Sequence, residues 1–286
     1  MNTISPKVTQ ILAHHIHPTA VVDPGAVIGT GVQIGPFCTI GPDVVIEDGA
    51  HLISHVVVDG HTVIGENVVI NPFATIGLAP QDLKYKGEPT RTVIGARTVI
   101  REHCSIHRGT VTGTGITKIG DGCLLMAVVH VAHDCDIGDG VVIANNVVMG
   151  GHVSIGNNSV IGGSAAIHQF VRIGRGAMIG GVSGVEGDVI PFGTVIGNRA
   201  RLIGLNVIGL RRRGVDRAGL HRLRAAFRLL FADDAAGTVF SQRLSTLRAQ
   251  EHDPLVTEML EFVEAPSHRG LIRASLGMRE EDEAAQ

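Results

Sequence analysis

Four histidines, His130, His133, His152 and His168, fall within residues 125–170, and a glycine, Gly151, adjoins the third of them. Imidazole has an ordinary pKa near 6.5, so it is the side chain best suited to take up and release a proton at neutral pH. A single outward histidine is commonly no more than a solvated surface group. Four that converge on one edge beside a glycine are a candidate catalytic site, and whether they converge depends on the elements that carry them.

Those elements can be counted. An aliphatic residue recurs every six positions from Ile16 through Ile34, Leu52 and Ile70 to Ile76, and again at Ile94, Ile100 and Ile106. The frame then slips by one and resumes at Ile119, Leu125 and Val131, running to Val185. Such sustained periodicity is the signature of a solenoid. With three hexapeptides per coil, residues eighteen apart stack at the strand spacing of about 4.8 Å. Gly151 and Gln169 therefore lie above His133, Asp134 lies beneath His152, and Ala132 lies beneath Gly150 and His168. Three histidines occupy adjoining columns on consecutive coils, with His130 near the same edge. Residues 78–91 break the pattern but keep its phase, because Ile76 and Ile94 are eighteen apart, so this segment is expected to replace part of a coil with a projecting loop. A second excursion, around 110–118, causes the frame slip.

The outward positions form three faces. Leu124, Val142, Val160 and Met178 make one, His130, Val148, Ala166 and Gly184 a second, and Asp136, Ser154, Arg172 and Ile190 a third. Two are apolar, and two different apolar faces closing a ring fit a cyclic homotrimer, with the histidine edge opening into a cleft between subunits. On the first face the third-place column reads Ala127, Asn145, Gly163 and Gly181, so side chains dwindle along the axis and leave a groove.

Composition agrees. The 286 residues include 38 glycines, no tryptophan and 3% aromatics, which suits a narrow prism with glycine corners and a small, β-branched interior. The net charge of -3 gives no nucleic-acid footprint, and no apolar run is long enough for stable membrane insertion, so a cytoplasmic protein is expected. Cys38, Cys104, Cys123 and Cys135 all take the small inward fifth place and read as buried thiols. After about residue 200 the pattern changes. Leu220, Leu223, Phe227 and Leu230 recur at helical spacing, further helices are expected at 238–250 and 254–264, and arginines including Arg217 and Arg222 make either a solvated helix face or a dock for an acidic partner. The expected organisation is a β-helix over 1–200 and an α-helical domain over 201–286, ending in an acidic tail from Glu280.

Outside the repeat, an ordered set of motifs resembles one family. GPFCTIGP, SHVVVDGHT, QDLKYKGEPTR, IHRGT, HVAHDC, GGH, IHQF, GLNVIGLRRRG and RGLIR are similar to those of the UDP-N-acetylglucosamine O-acyltransferases that begin lipid A biosynthesis, over residues 16–273. The hexapeptides themselves resemble a superfamily that folds as a left-handed parallel β-helix. The resemblance implies a homotrimer, without cofactor or metal, that moves an R-3-hydroxyacyl chain from acyl carrier protein to the sugar 3-hydroxyl. It implies His133 as general base, Asp134 as its orienting partner and Gly151 as oxyanion donor. His130, His152, His168 and Gln169 would hold the sugar and nucleotide. Asp82 and Lys84 of the loop would reach substrate across the subunit boundary, and Asn206, Arg212 and Arg213 would contact nucleotide, phosphates or the carrier's phosphopantetheine arm. Gly181 would set acyl-chain length.

One position departs from the family pattern: Ile208 stands where a glutamate is common, which leaves a 3-amino analogue of the sugar as an alternative acceptor. The sister N-acyltransferase carries an extra N-terminal domain, for which repeats starting at Ile16 leave no room. A γ-type carbonic anhydrase, also a hexapeptide trimer, binds zinc through three histidines, and the histidine spacing and helical tail here fit it poorly.

Overall fold

The computed structural model describes residues 15–231, 239–250 and 253–275. Each hexapeptide gives a two-residue strand and a turn, and successive coils pair in parallel at eighteen residues, as in Gln33↔His51 and Ile34↔Leu52. Three sheets result, of eleven, nine and eight strands, here called A, B and C in the order the chain visits them. The chain is a left-handed β-helix followed by helices. The periodic aliphatic residue is the inward member of each strand. On sheet A, Ile34, Leu52, Ile70, Ile100, Leu125, Ile143, Ile161 and Ile179 are all 0% exposed. All four cysteines are reduced and buried, and desolvation pushes the Cys135 thiol up to about 12.

Both excursions leave from the same corner, between sheets B and C, on consecutive coils. The first separates the strands Thr75–Leu78 and Arg91–Ile94, the second the strands Ser105–His107 and Ile116–Ile119. The expected replacement of part of a coil is corrected by the register. Ile94 pairs with Ile64 and Ile106 with Ile76, thirty positions on, so every coil is complete and the loop is an addition at the corner. Ile119 likewise pairs with Ile94, twenty-five positions on.

At the far end the repeat closes differently from its projected frame. Val189 bridges to Ile173, and Asp188 accepts from the Arg172 guanidinium at 2.7 Å. Ile190 is consequently turned inward, 1% exposed, and does not extend the polar face. Strand Arg201–Leu205 then pairs antiparallel with Gly193–Ile196 and continues sheet A past residue 200.

Helix α1 spans Val207–Arg212, α2 Arg217–Leu230, α3 Phe240–Arg248 and α4 Pro254–Glu264. Leu220, Leu223, Phe227 and Leu230 form the buried stripe of α2, as their spacing predicts. The start of the expected 238–250 helix at Thr238 and the acidic tail lie outside the described residues. Helix α4 covers sheet C, where the Arg172 guanidinium lies 4.5 Å from the Phe262 ring and Arg175 Nε donates to Glu258 at 2.9 Å. Sheets A and B keep their outward columns, with Val148 48% exposed.

Candidate active site

The eighteen-residue stacking brings His133, Asp134, Gly151 and His152 together at the B–C corner. His133 and His152 meet edge to face with ring centroids 5.0 Å apart, and His152 stacks flat on Phe170 at 4.4 Å. Asp134, His152 and Phe170 all adopt left-handed backbone, with φ of 58°, 62° and 65°. That conformation is strained for a branched or bulky side chain, and the coils above and below enforce it.

His133 Nδ1 lies 2.8 Å from Asp134 Oδ2. An ionised carboxylate only accepts, so Nδ1 carries the hydrogen and Nε2 keeps its lone pair. Asp134 is 4% exposed, and burial by itself would raise its pKa. Hydrogen bonds from Thr110 and His133 and the charge of His152 reverse this and hold it below the usual carboxylate range. The second excursion supplies most of those donors. Thr110 Oγ1 donates to Oδ2 at 2.6 Å, and Thr114 Oγ1 and the Gly115 amide donate to Oδ1 at 3.1 and 3.0 Å. The Thr110 amide is shared between both oxygens at 3.1 Å.

A cavity of about 550 Å³ opens beside the dyad, lined by Gln81, His107, His130, His133, Gly151, His168 and Gln169 among others, and runs up sheet B past Val148, Ala166 and Gly184. His130 Nδ1 bonds the Ser105 hydroxyl at 2.5 Å. Burial, with His130 and His133 nearby, pushes His107 down to about 4, and burial also lowers His130, so both rings are neutral at pH 7.

Several expected residues stand elsewhere. His152 is not on the cavity wall, because it turns toward Asp134, with Nε2 4.0 Å from Oδ2. The projecting loop borders its own chain's cavity: Gln81 lines it, and the charge of Asp82 acts on His152. Lys84 donates its amide to Asp82 Oδ1 at 3.0 Å. Asn206 and Arg213 lie at the C–A corner, donating to the Gly176 carbonyl at 3.0 and 3.4 Å. Arg212 and Ile208 are exposed on α1, and Gly181 is exposed at the A–B corner, so within one chain none of these reaches the histidines.

His107, Thr110, Thr114 and Arg269 were missed by the sequence reading. The Arg269 guanidinium meets the His168 ring and donates to the Gln169 carbonyl at 2.9 Å, tying the returning chain to these two residues. His133, Asp134 and His152 present ligand atoms within 4.8 Å of one another, a spacing a metal ion could use. Both Asp134 oxygens already accept hydrogen bonds, however, and only two histidines are present where a γ-type carbonic anhydrase needs three.

The C-terminal part, residues 188–272, matches the family model described as UDP N-acetylglucosamine O-acyltransferase, domain 2. Residues 116–151 match the model for bacterial transferase hexapeptides. The acyl-[acyl-carrier-protein]--UDP-N-acetylglucosamine O-acyltransferase of Azorhizobium caulinodans is 50% identical over 264 residues, 92% of this chain and 96% of its own. A crystal structure of a UDP-N-acetylglucosamine acyltransferase superposes with a TM-score of 0.87 at 43% identity, covering 91% of this chain and 99% of that one. The enzyme from Campylobacter jejuni gives 0.85 at 35%, covering 91% and 100%. Near-complete coverage at this identity leaves no room for the N-acyltransferase or anhydrase alternatives, and the chain belongs to the UDP-N-acetylglucosamine O-acyltransferase family.

Proposed function

We infer that the chain transfers a 3-hydroxyacyl group from acyl carrier protein to the 3-hydroxyl of UDP-N-acetylglucosamine, opening lipid A biosynthesis in the cytoplasm. The observation that carries the chemistry is the His133–Asp134 dyad, with Nε2 free on a cavity wall. Nε2 takes the proton of the sugar hydroxyl as its oxygen attacks the thioester carbonyl. The Gly151 amide, which donates to no other group among the described residues, is assigned to the oxyanion. Collapse of the tetrahedral intermediate expels the carrier thiolate, which recovers the proton from His133. His130, His168 and Gln169, with Asp82 and Lys84 of the loop, are assigned to the sugar nucleotide. His152, turned from the cavity toward Asp134, is assigned to support that carboxylate rather than to hold the sugar nucleotide.

The two uncovered apolar faces, on sheets A and B, support a cyclic trimer. The corner they share then points at the axis, and the histidine corner of one subunit faces the C–A corner of the next. Asn206, Arg212 and Arg213 would so join the site from a neighbouring chain, and Gly181 would face the acyl tail near the axis. The basic face of α2 is assigned to the acyl carrier protein. The test is an acyl-transfer assay with UDP-N-acetylglucosamine, its 3-amino analogue and 3-hydroxyacyl carrier proteins of several lengths. Ester formation on the 3-hydroxyl is expected, and failure to acylate it would overturn the reading.

A further inference from the structure

We propose that Thr110, seconded by Thr114, is a positioning residue for the His133–Asp134 dyad, and that the 110–118 excursion exists in this fold as a cradle for the Asp134 carboxylate. The inference rests on the catalytic reading of His133. The excursion is placed one coil below Asp134 at the same corner, and its polar groups converge on that side chain. Thr110 is itself buried, 2% exposed, and contributes both its hydroxyl and its amide. Thr114 and Gly115 bond the other oxygen, and Thr117 Oγ1 accepts from the Asp134 amide at 2.8 Å. Gly113 packs so close that an added Cβ would collide with the Asp134 carboxyl and His152 Cε1, so the strand of loop is fitted to the pair.

A carboxylate with a 0% exposed side chain would be costly without such donors, and would settle by protonating. A protonated Asp134 no longer fixes the hydrogen on His133 Nδ1, and the tautomer with Nε2 free is lost. The cradle keeps the carboxylate charged, and it fixes the plane in which Oδ2 meets the ring. Both effects act on turnover and neither touches substrate.

The test compares Thr110→Val, Thr110→Ser, Thr114→Val and His133→Ala as full-length assembled protein, measuring kcat and KM across the pH range in which imidazole titrates. Thr110→Val is expected to lower kcat by about 10-fold to 100-fold, the worth of one hydrogen bond to a charged acceptor, with KM for both substrates unchanged. It should also move the acidic limb of kcat/KM to higher pH, because a carboxylate with fewer donors is more basic and holds the His133 proton more tightly. Thr110→Ser, which keeps the hydroxyl, should recover most of the lost kcat and return the limb to its place. A loss of kcat with the limb unmoved and no recovery in Thr110→Ser would mean a packing role and overturn the proposal, as would unchanged kcat in Thr110→Val. If Thr110→Val does not assemble, Thr114→Val carries the same test, with a smaller shift in the same direction expected and an unmoved limb refuting. Full activity in His133→Ala would instead sink the catalytic reading itself.

Discussion

Gly151→Ala offers a sharp way to separate catalysis from folding at this site. Gly151 does not occupy the left-handed region, so alanine is tolerated by the backbone. The added methyl would fall 2.5 Å from His133 Cε1, 2.7 Å from Nε2 and 3.0 Å from Nδ1. Carbon contacts settle at about 3.5 Å or more, so the ring must retreat by roughly 1 Å. The Nδ1 to Oδ2 bond is 2.8 Å, and a retreat of that size breaks it. The displaced base forfeits the contribution of general-base catalysis, so kcat should fall by about 100-fold to 10,000-fold. Stability should fall only modestly, since the about 0.4–1 kcal/mol that alanine gains through the unfolded chain partly offsets the lost hydrogen bond to the buried Asp134 carboxylate. The assay is steady-state acyl transfer with Gly151→Ala, His133→Ala and the double variant, alongside thermal unfolding. Because removing the ring removes the clash, the double variant should be no slower than His133→Ala. Near-wild-type turnover in Gly151→Ala, or losses that multiply in the double variant, would refute the geometry.

Gly181→Met should leave the chain folded, because an added Cβ there meets only Gly163 backbone at 3.3 and 3.9 Å, and should shift acyl preference to shorter chains. Each methylene excluded is worth about 0.8 kcal/mol, read as kcat/KM across a ladder of 3-hydroxyacyl carrier proteins, and an unchanged optimum would place the tail elsewhere. Arg217→Glu should raise KM for acyl carrier protein and flatten its salt dependence while sparing KM for the nucleotide sugar. Arg222 is a poorer probe, because it pairs with Asp253 at the start of α4 at 2.7 Å and its loss would loosen the helices. His107 stays neutral to about 4 when folded, against 6.5 for an unperturbed ring, so the unfolded chain binds its proton first and stability falls as pH drops through that window. The full effect is about 3 kcal/mol, and His107→Phe should flatten Tm against pH there; an equally steep curve would exonerate His107.

The repeat was readable because its period maps number onto space. Ile34 under Leu52 and His133 under Gly151 follow from counting by eighteen, and the register bears that out. Counting fails where the chain leaves the repeat. His107 sits before the frame slip, and Ser105 pairs with His130 at a distance of twenty-five, so its place beside His130 was hidden. The other donors to Asp134 belong to the excursion, and their trace in the sequence is the alternation of Thr110, Thr112 and Thr114 with Val111, Gly113 and Gly115. Arg269 reaches Gln169 from one hundred positions away, which no periodicity can encode. Apolar periodicity encodes what is buried, and polar contacts between non-repeating segments lie outside it.

The ladder that builds the prism joins neighbours no more than thirty positions apart, and a structure made of such short closures can grow coil by coil from any nucleus. The dyad and its threonine cradle arise within that growth. The Arg269 contact to His168 and Gln169 does not, since it must wait until α4 has docked on sheet C and the chain has returned. During synthesis the His133–Asp134 dyad and its donors are thus assembled well before the returning chain reaches the His168–Gln169 corner.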